Sequence, residues 1–236
     1  MNKLLHSVSR SAKKVAIRNS ALSYKRRRAI IRFASKFSLV YFGHVDQRDD
    51  HHHIIRGLTV SSSHQDENYT VGSLNGYDIS LVDRYDIVDL PGRPLVAHRW
   101  LILEIDLHHG KDIPHVFLGA HNHNDSSYAK LFTSVPQLQR IPLGTFETHS
   151  DEFTARYSLF ASASQFVEAE RFFTAQVTRM IAAHFWPLAA EVIGGALYVY
   201  SDSTNISSQL LETMLKNGLW LAEQLDERAY QPSDLS

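Results

Sequence analysis

The chain of 236 residues contains no cysteine. This absence excludes disulfide bonds, thiolate metal ligands and cysteine nucleophiles, and it suits a reducing compartment. No apolar run approaches the roughly 20 residues of a membrane-spanning helix, and the N-terminus lacks the apolar segment of a secretory signal peptide. We therefore expect a cytoplasmic protein, either free or peripheral on the membrane, without a transmembrane segment. Its length suits one large domain, or one domain with an added segment.

Acidic residues are missing from the first 36 positions. That segment holds 11 of the 24 lysine and arginine residues, and the remainder has 13 basic against 25 acidic residues. Such a basic block indicates contact with an anionic surface, either the phosphates of nucleic acid or an acidic membrane leaflet. Two alternatives are a solvated helix face that packs on the acidic remainder of this chain or of a partner, and an organelle transit peptide.

The basic segment also shows helical periodicity, over residues 3–18 and again over residues 20–41. We therefore predict a basic helical arm over residues 1–45, an α+β body over residues 46–229 and a loose tail over residues 230–236. The arm's candidate contacts to an anionic surface are its basic side chains: Lys13, Lys14, Arg18, Lys25, Arg26, Arg27, Arg28 and Arg32.

In the body, apolar and polar residues alternate along short segments, which is the pattern of β-strands. Asn75-Gly76 and Gly194-Gly195 lie between such segments and predict two-residue hairpins, because these turns require positive φ. The apolar segments 98–107 and 113–123 predict two buried strands that pair as a central hairpin. With a strand over 146–160 and helices over 162–185 and 206–228, the expected fold class is α+β: a bent antiparallel sheet or partial barrel covered by two C-terminal helices, preceded by the basic arm.

Histidine is concentrated in one part of the chain, with 12 of the 14 histidines between His44 and His149. His121 and His123 are two residues apart on a predicted strand and would share a face. The predicted hairpin brings His108 and Asp106 beside them. These four residues are candidate ligands for a divalent metal, and ordinary packed histidines are the alternative.

Motifs of the common enzyme classes are absent. We therefore assign no catalytic residue, and a divalent metal is the one cofactor that the sequence suggests. Glu104 shares a strand face with Asp106, but a salt bridge to Arg99 or Arg156 is favoured over acid–base chemistry.

Residues 146–159, Phe-Glu-Thr-His-Ser-Asp-Glu-Phe-Thr-Ala-Arg-Tyr-Ser-Leu, resemble an uncharacterised bacterial family. In that family a Phe, an Asp, an Ala-Arg pair and a Leu lead from a strand into a helix. The resemblance extends over residues 146–200. It implies an α+β body with a curved antiparallel sheet, no known activity, and membrane association through apolar N-terminal helices. The N-terminus here departs from the family, because it is basic and too polar to span a membrane. This departure argues against an integral-membrane role and leaves a peripheral role open.

Three functions remain open from the sequence. The favoured one is a non-enzymatic interaction module: the basic arm docks on an anionic surface, preferably the inner face of a membrane, and the body binds a protein partner. The second has the same arm bind nucleic acid. The third is a metal-dependent hydrolase centred on His121 and His123.

Overall fold

A computed structural model describes residues 23–44, 65–88, 96–121, 135–144 and 147–230. Its strands are β1 (Val40–His44), β2 (Gln65–Leu74), β3 (Tyr77–Val88), β4 (Val96–Asp106), β5 (Val116–Ala120), β6 (Leu138–Arg140), β7 (Tyr157–Ser162), β8 (Ala189–Ile193) and β9 (Ala196–Ser201). Its α-helices are α1 (residues 23–36), α2 (Asp151–Arg156), α3 (Phe166–Phe172), α4 (Ala175–His184) and α5 (Ser208–Tyr230). Short 3₁₀ turns occupy Gly110–Asp112 and Ala163–Gln165.

The strands described here form one antiparallel sheet in the order β1-β2-β3-β4-β9-β8-β5-β7-β6. The sheet is open, because β1 and β6 are its edges and do not pair with each other. The predicted α+β fold class with an antiparallel sheet is therefore confirmed. None of the described helices is long and apolar enough to cross a membrane.

The described helices pack against one face of this sheet, which we call the helix-covered face. On β4, Leu101, Leu103 and Ile105 alternate toward this face and join a core with buried residues of α1 and α5. Trp100 and Ile102 point to the opposite face, where a smaller apolar cluster is built from strand residues. The alternation follows from the two-residue period of a strand.

Both predicted two-residue hairpins are confirmed. Asn75 and Gly76 have φ values of 54° and 85° and join β2 to β3. Gly194 and Gly195 have φ values of 64° and 93° and join β8 to β9. Positive φ at both central residues gives the turn a twist that matches the flanking strands, so local sequence was enough to predict these hairpins.

The predicted central hairpin is wrong. Residues 98–107 and 113–123 do contain strands, but β4 pairs with β3 and β9, whereas β5 pairs with β7 and β8. The β8–β9 hairpin therefore lies between them. The connection after β4 runs against this hairpin, and the Leu107 amide donates to the Gly195 carbonyl at 2.9 Å.

Helix α1 ends earlier than the predicted residue 41, and the chain continues as β1. The Leu39 amide bonds the Ala34 carbonyl at 2.8 Å, and Ser38 has a φ of 57°. This is the Schellman arrangement, in which the residue after the cap takes the left-handed conformation. Glycine usually occupies that position. Because Ser38 stands there instead, the sequence did not indicate where α1 ends.

The segments around the C-terminal helices also differ from the prediction. Residues 151–156 form α2, not a strand, because the Ser150 side chain caps the helix by accepting from the Phe153 amide. The predicted helix over 162–185 is interrupted, and α4 has its own cap, where Thr174 accepts from the Val177 amide. The last helix is confirmed as α5.

The predicted boundary at residue 45 does not separate two packing units in the described part of the chain. Ile30, Phe33 and Ala34 of α1 are buried in the main core, and β1 is an edge strand of the same sheet. Residues 23–44 are thus an integral part of the body. The predicted helix over 3–18 lies outside the described residues.

Candidate functional site

Helix α1 is fixed to the sheet by a buried arginine. Arg26 donates through Nε and Nη2 to the Asp83 carboxylate at 2.8 and 2.7 Å, and both side chains are buried. Its Nη1 donates to the carbonyls of Ser203 and Thr204 at 2.9 and 3.3 Å. Bidentate pairing fixes the orientation of both groups, so α1 is held in one rotational setting on the sheet.

A second arginine completes this ion-pair cluster. Arg99 donates to Asp83 at 3.1 Å and to Glu67 at 2.7 Å. Burial lowers the pKa of the Arg99 guanidinium, but the two carboxylates outweigh that effect and hold the pKa above its usual range. The Asp83 carboxylate is thus shared by two guanidiniums, which keeps its buried charge compensated.

The outward face of α1 carries cations. Lys25, Arg27, Arg28 and Arg32 are exposed, and the helix contains no acidic residue. Burial raises the pKa of the nearby Tyr41 hydroxyl, and the positive charge of Arg27 partly offsets that rise. Lys25, Arg28 and Arg32 form no ion pair with the described residues. The charge on this face is therefore directed to solvent.

Two large apolar side chains lie among these cations: Tyr24 is 65% exposed and Ile31 is 39% exposed. Opposite them, Arg26, Ile30 and Phe33 follow the spacing of four and three residues that places side chains on one helix face. That spacing was the sequence signal that Arg26 belongs with the core. The prediction treated the cluster 25–28 as a single charged surface.

Only some of the basic residues predicted to contact an anionic surface are exposed in the described part of the chain. Lys25, Arg27, Arg28 and Arg32 are exposed on one helix. Arg26 is buried in its ion pair and unavailable to an external surface, so its inclusion in the set was wrong. Lys13, Lys14 and Arg18 lie outside the described residues.

The proposed metal ligands do not converge. His121 uses both ring nitrogens: Nδ1 donates to the Ala155 carbonyl at 2.9 Å, so Nε2 accepts from the Ser158 hydroxyl at 2.8 Å. His108 stacks on Tyr77 and bonds the Gly76 carbonyl at the other end of the sheet order.

The other two proposed metal ligands, Asp106 and His123, do not complete a metal site among the described residues. Asp106 is exposed at the end of β4, and His123 lies outside the described residues. In the described ranges, no three His, Asp or Glu side chains form a group that could hold a metal ion. The expectation that a β4–β5 hairpin gathers these four residues fails because that hairpin does not exist.

The face opposite the helices carries a buried row of polar and aromatic residues. Glu104, Tyr198 and Glu191 are register neighbours on β4, β9 and β8. Glu104 accepts from the Tyr198 hydroxyl at 2.8 Å. Glu191 accepts from the Tyr200 hydroxyl and from His115 Nε2, both at 2.7 Å. These bonds compensate two buried carboxylates and link the central strands.

The salt-bridge partners predicted for Glu104 are engaged elsewhere. Arg99 pairs with Asp83 and Glu67, and Arg156 pairs with Glu152 at 2.8 Å. Burial raises the pKa of the Tyr198 hydroxyl, and the Glu104 carboxylate that accepts its hydrogen bond raises it further. The row therefore functions in packing the sheet, and α1 presents the charged surface.

Fold and surface together define an α+β protein with an open antiparallel sheet, a helical layer on one face and a cationic helix within that layer. No protein-family model matches the chain, and no curated protein matches its sequence. The resemblance of residues 146–200 to an uncharacterised bacterial family therefore stays a prediction.

One solved structure is similar, the crystal structure of the mycobacterial trehalose monomycolate transport factor A. The TM-score is 0.55 at 9% sequence identity, and the match covers 86% of this chain and 94% of that chain. At this identity the likeness shows a shared fold alone.

Proposed function

We propose that the protein is a non-enzymatic interaction module that docks on an anionic membrane surface through α1 and the basic residues that precede it. The observation that carries the proposal is the outward face of α1, with exposed Lys25, Arg27, Arg28 and Arg32 and no acid. Each basic residue held near an anionic leaflet adds about 1 kcal/mol to binding. Four such residues on one fixed helix face act together.

The buried anchorage of α1 supports docking of the whole body. Because Arg26 and the apolar residues Ile30 and Phe33 fix the helix to the sheet, a surface that binds α1 also orients the domain. A protein partner for the body remains part of this proposal.

Nucleic acid is the second candidate ligand for the cations of α1, because its phosphates carry the same negative charge as anionic lipid headgroups. Binding of single strands usually adds base stacking on exposed aromatic rings. On α1 the exposed ring is Tyr24, whereas Phe33 is buried in the core. This scarcity of stacking platforms favours the membrane surface.

Co-sedimentation of the full chain with vesicles tests the proposal. We expect binding to vesicles that contain phosphatidylserine or phosphatidylglycerol, weaker binding as salt rises, and little binding to neutral phosphatidylcholine vesicles. Equal, salt-insensitive binding to both would contradict the proposal. A mobility-shift titration with DNA and RNA at low salt tests the alternative, and a shift at lower protein concentration than vesicle binding requires would favour nucleic acid.

A further inference from the structure

We infer that Tyr24 and Ile31 enter the boundary between lipid headgroups and acyl chains when α1 docks, so that binding has an apolar component beside the ionic one. This inference rests on the proposed docking function and specifies how the same face meets the bilayer. The ligand is an anionic lipid surface that α1 contacts lengthwise, not free phosphate.

The helix geometry brings the two residues together. They are seven positions apart, which is nearly two full turns, so their side chains lie within about 20° of each other around the helix axis. By the same rotation, Arg28 and Arg32 flank this pair on one side and Arg27 flanks it on the other. An exposed apolar strip bordered by cations is the pattern of a helix that lies in a membrane interface.

The long cationic side chains favour lipid over a protein partner as the occupant. Arginine and lysine can extend past an inserted apolar strip and keep their charges among the headgroups. Lys25, Arg28 and Arg32 form no ion pair with the described residues, so docking breaks no ion pair of these three within that part of the chain. A single exposed apolar residue needs no explanation, but Tyr24 and Ile31 share one strip inside a cationic border.

The anchorage of α1 then determines how the domain lies. The face of α1 that packs on the sheet is closed by the Arg26–Asp83 pair and by core packing. The helix can therefore present only its Tyr24–Ile31 side to a bilayer. It follows that the helix-covered face of the sheet is directed to the membrane and the opposite face is directed away from it.

The absence of cysteine permits a direct test. Three single-cysteine variants of the full chain, Tyr24→Cys, Ile31→Cys and Val40→Cys, would carry a small environment-sensitive fluorophore. Val40 on β1 is 54% exposed and lies on the side of the sheet opposite the helices, because its register partner Val71 packs against the apolar cluster of that face. It serves as the matched control. Fluorescence would be measured with anionic vesicles whose acyl chains carry a nitroxide or bromine quencher. Circular dichroism would confirm that each variant is folded.

Quenching and a blue shift at positions 24 and 31, without either at position 40, is the expected result. A second arm uses unlabelled Tyr24→Ser/Ile31→Ser, which should bind anionic vesicles about tenfold more weakly at high salt, where the ionic part is screened. Vesicle binding without quenching at 24 and 31 would overturn the inference and leave ionic docking intact. No binding to anionic vesicles by the unmodified chain would instead overturn the proposed function itself.

Discussion

Gly110 and Gly195 touch backbone to backbone. A Cβ atom on Gly110 would lie 2.6 Å from the Gly195 carbonyl oxygen and 2.8 Å from its Cα. The two glycines join the turn after β4 to the β8–β9 hairpin, which is the hairpin that separates β4 from β5. This contact therefore helps to set the strand order of the sheet.

Gly110→Ala should destabilise the fold by about 1–3 kcal/mol, because the atoms that the new methyl group meets are backbone and cannot rotate away. Urea denaturation gives the free energy of unfolding. Lys111→Ala, next to it and exposed, is the matched control and should change stability by less than about 0.5 kcal/mol. Equal stability of the two variants would show that the close contact is not maintained in solution.

The Arg26–Asp83 pair gives a second prediction. Arg26→Met leaves the Asp83 carboxylate buried without its bidentate partner and should cost about 3–5 kcal/mol in the free energy of unfolding. Arg28→Met removes the same charge from an exposed position of the same helix and should be nearly neutral. Chemical denaturation of both variants measures the difference, and similar values for the two would contradict the assignment of Arg26 to the core.

The buried row on the opposite face predicts a cost for removing one hydroxyl. Tyr200→Phe deletes a donor to Glu191 without changing the ring and should destabilise the fold by about 1–3 kcal/mol, because a buried acceptor loses its partner. Tyr24→Phe makes the same chemical change on the exposed surface and should have no measurable effect. A neutral Tyr200→Phe would mean that solvent reaches Glu191.

Alkaline pH should unfold the protein through its buried tyrosines. Burial raises the pKa of Tyr69, Tyr77, Tyr157 and Tyr198, and carboxylates add to the effect at Tyr77 and Tyr198. The unfolded value is about 10, so the folded state holds these protons more tightly. The resulting stability is complete below about pH 10 and is lost as pH rises from there through the folded values.

The absorbance of tyrosinate, followed together with circular dichroism, measures this effect. Part of the tyrosine absorbance should appear only above pH 10, in step with the loss of secondary structure. A single titration near pH 10 with the fold intact would contradict the assignment of these hydroxyl groups to the interior.

The sequence predicted those elements whose signals are local. Asn75-Gly76 and Gly194-Gly195 each encode their own turn by positive φ, and the apolar stripe of α5 encodes a long helix. The neighbours of β4 could not be predicted in this way, because its pairing with β9 joins residues about a hundred positions apart, and any buried strand satisfies the same apolar pattern.

The candidate surface was predicted in part for a similar reason. Charge alone identified the basic segment, but the face that each cation occupies depends on what the helix packs against. Arg26 entered the core because Asp83 on a distant strand compensates it. Tyr24 and Ile31 were not recognised, since exposure of an apolar residue becomes visible only when the opposite helix face has been matched to the sheet.

The affinity of folded full-length protein for anionic vesicles, compared between two charge-matched double variants, tests the central claim most directly. Arg28→Gln/Arg32→Gln removes two cations from the outward face of α1, and Lys111→Gln/Arg140→Gln removes two exposed cations away from the outer side of the helical layer, on the turn after β4 and on edge strand β6. At about 1 kcal/mol per residue, the first variant should bind about thirtyfold more weakly than the unmodified protein, and the second should bind within about twofold of it. Equal weakening in both variants would show that net charge, and not the face of α1, determines binding, and that result would contradict the account.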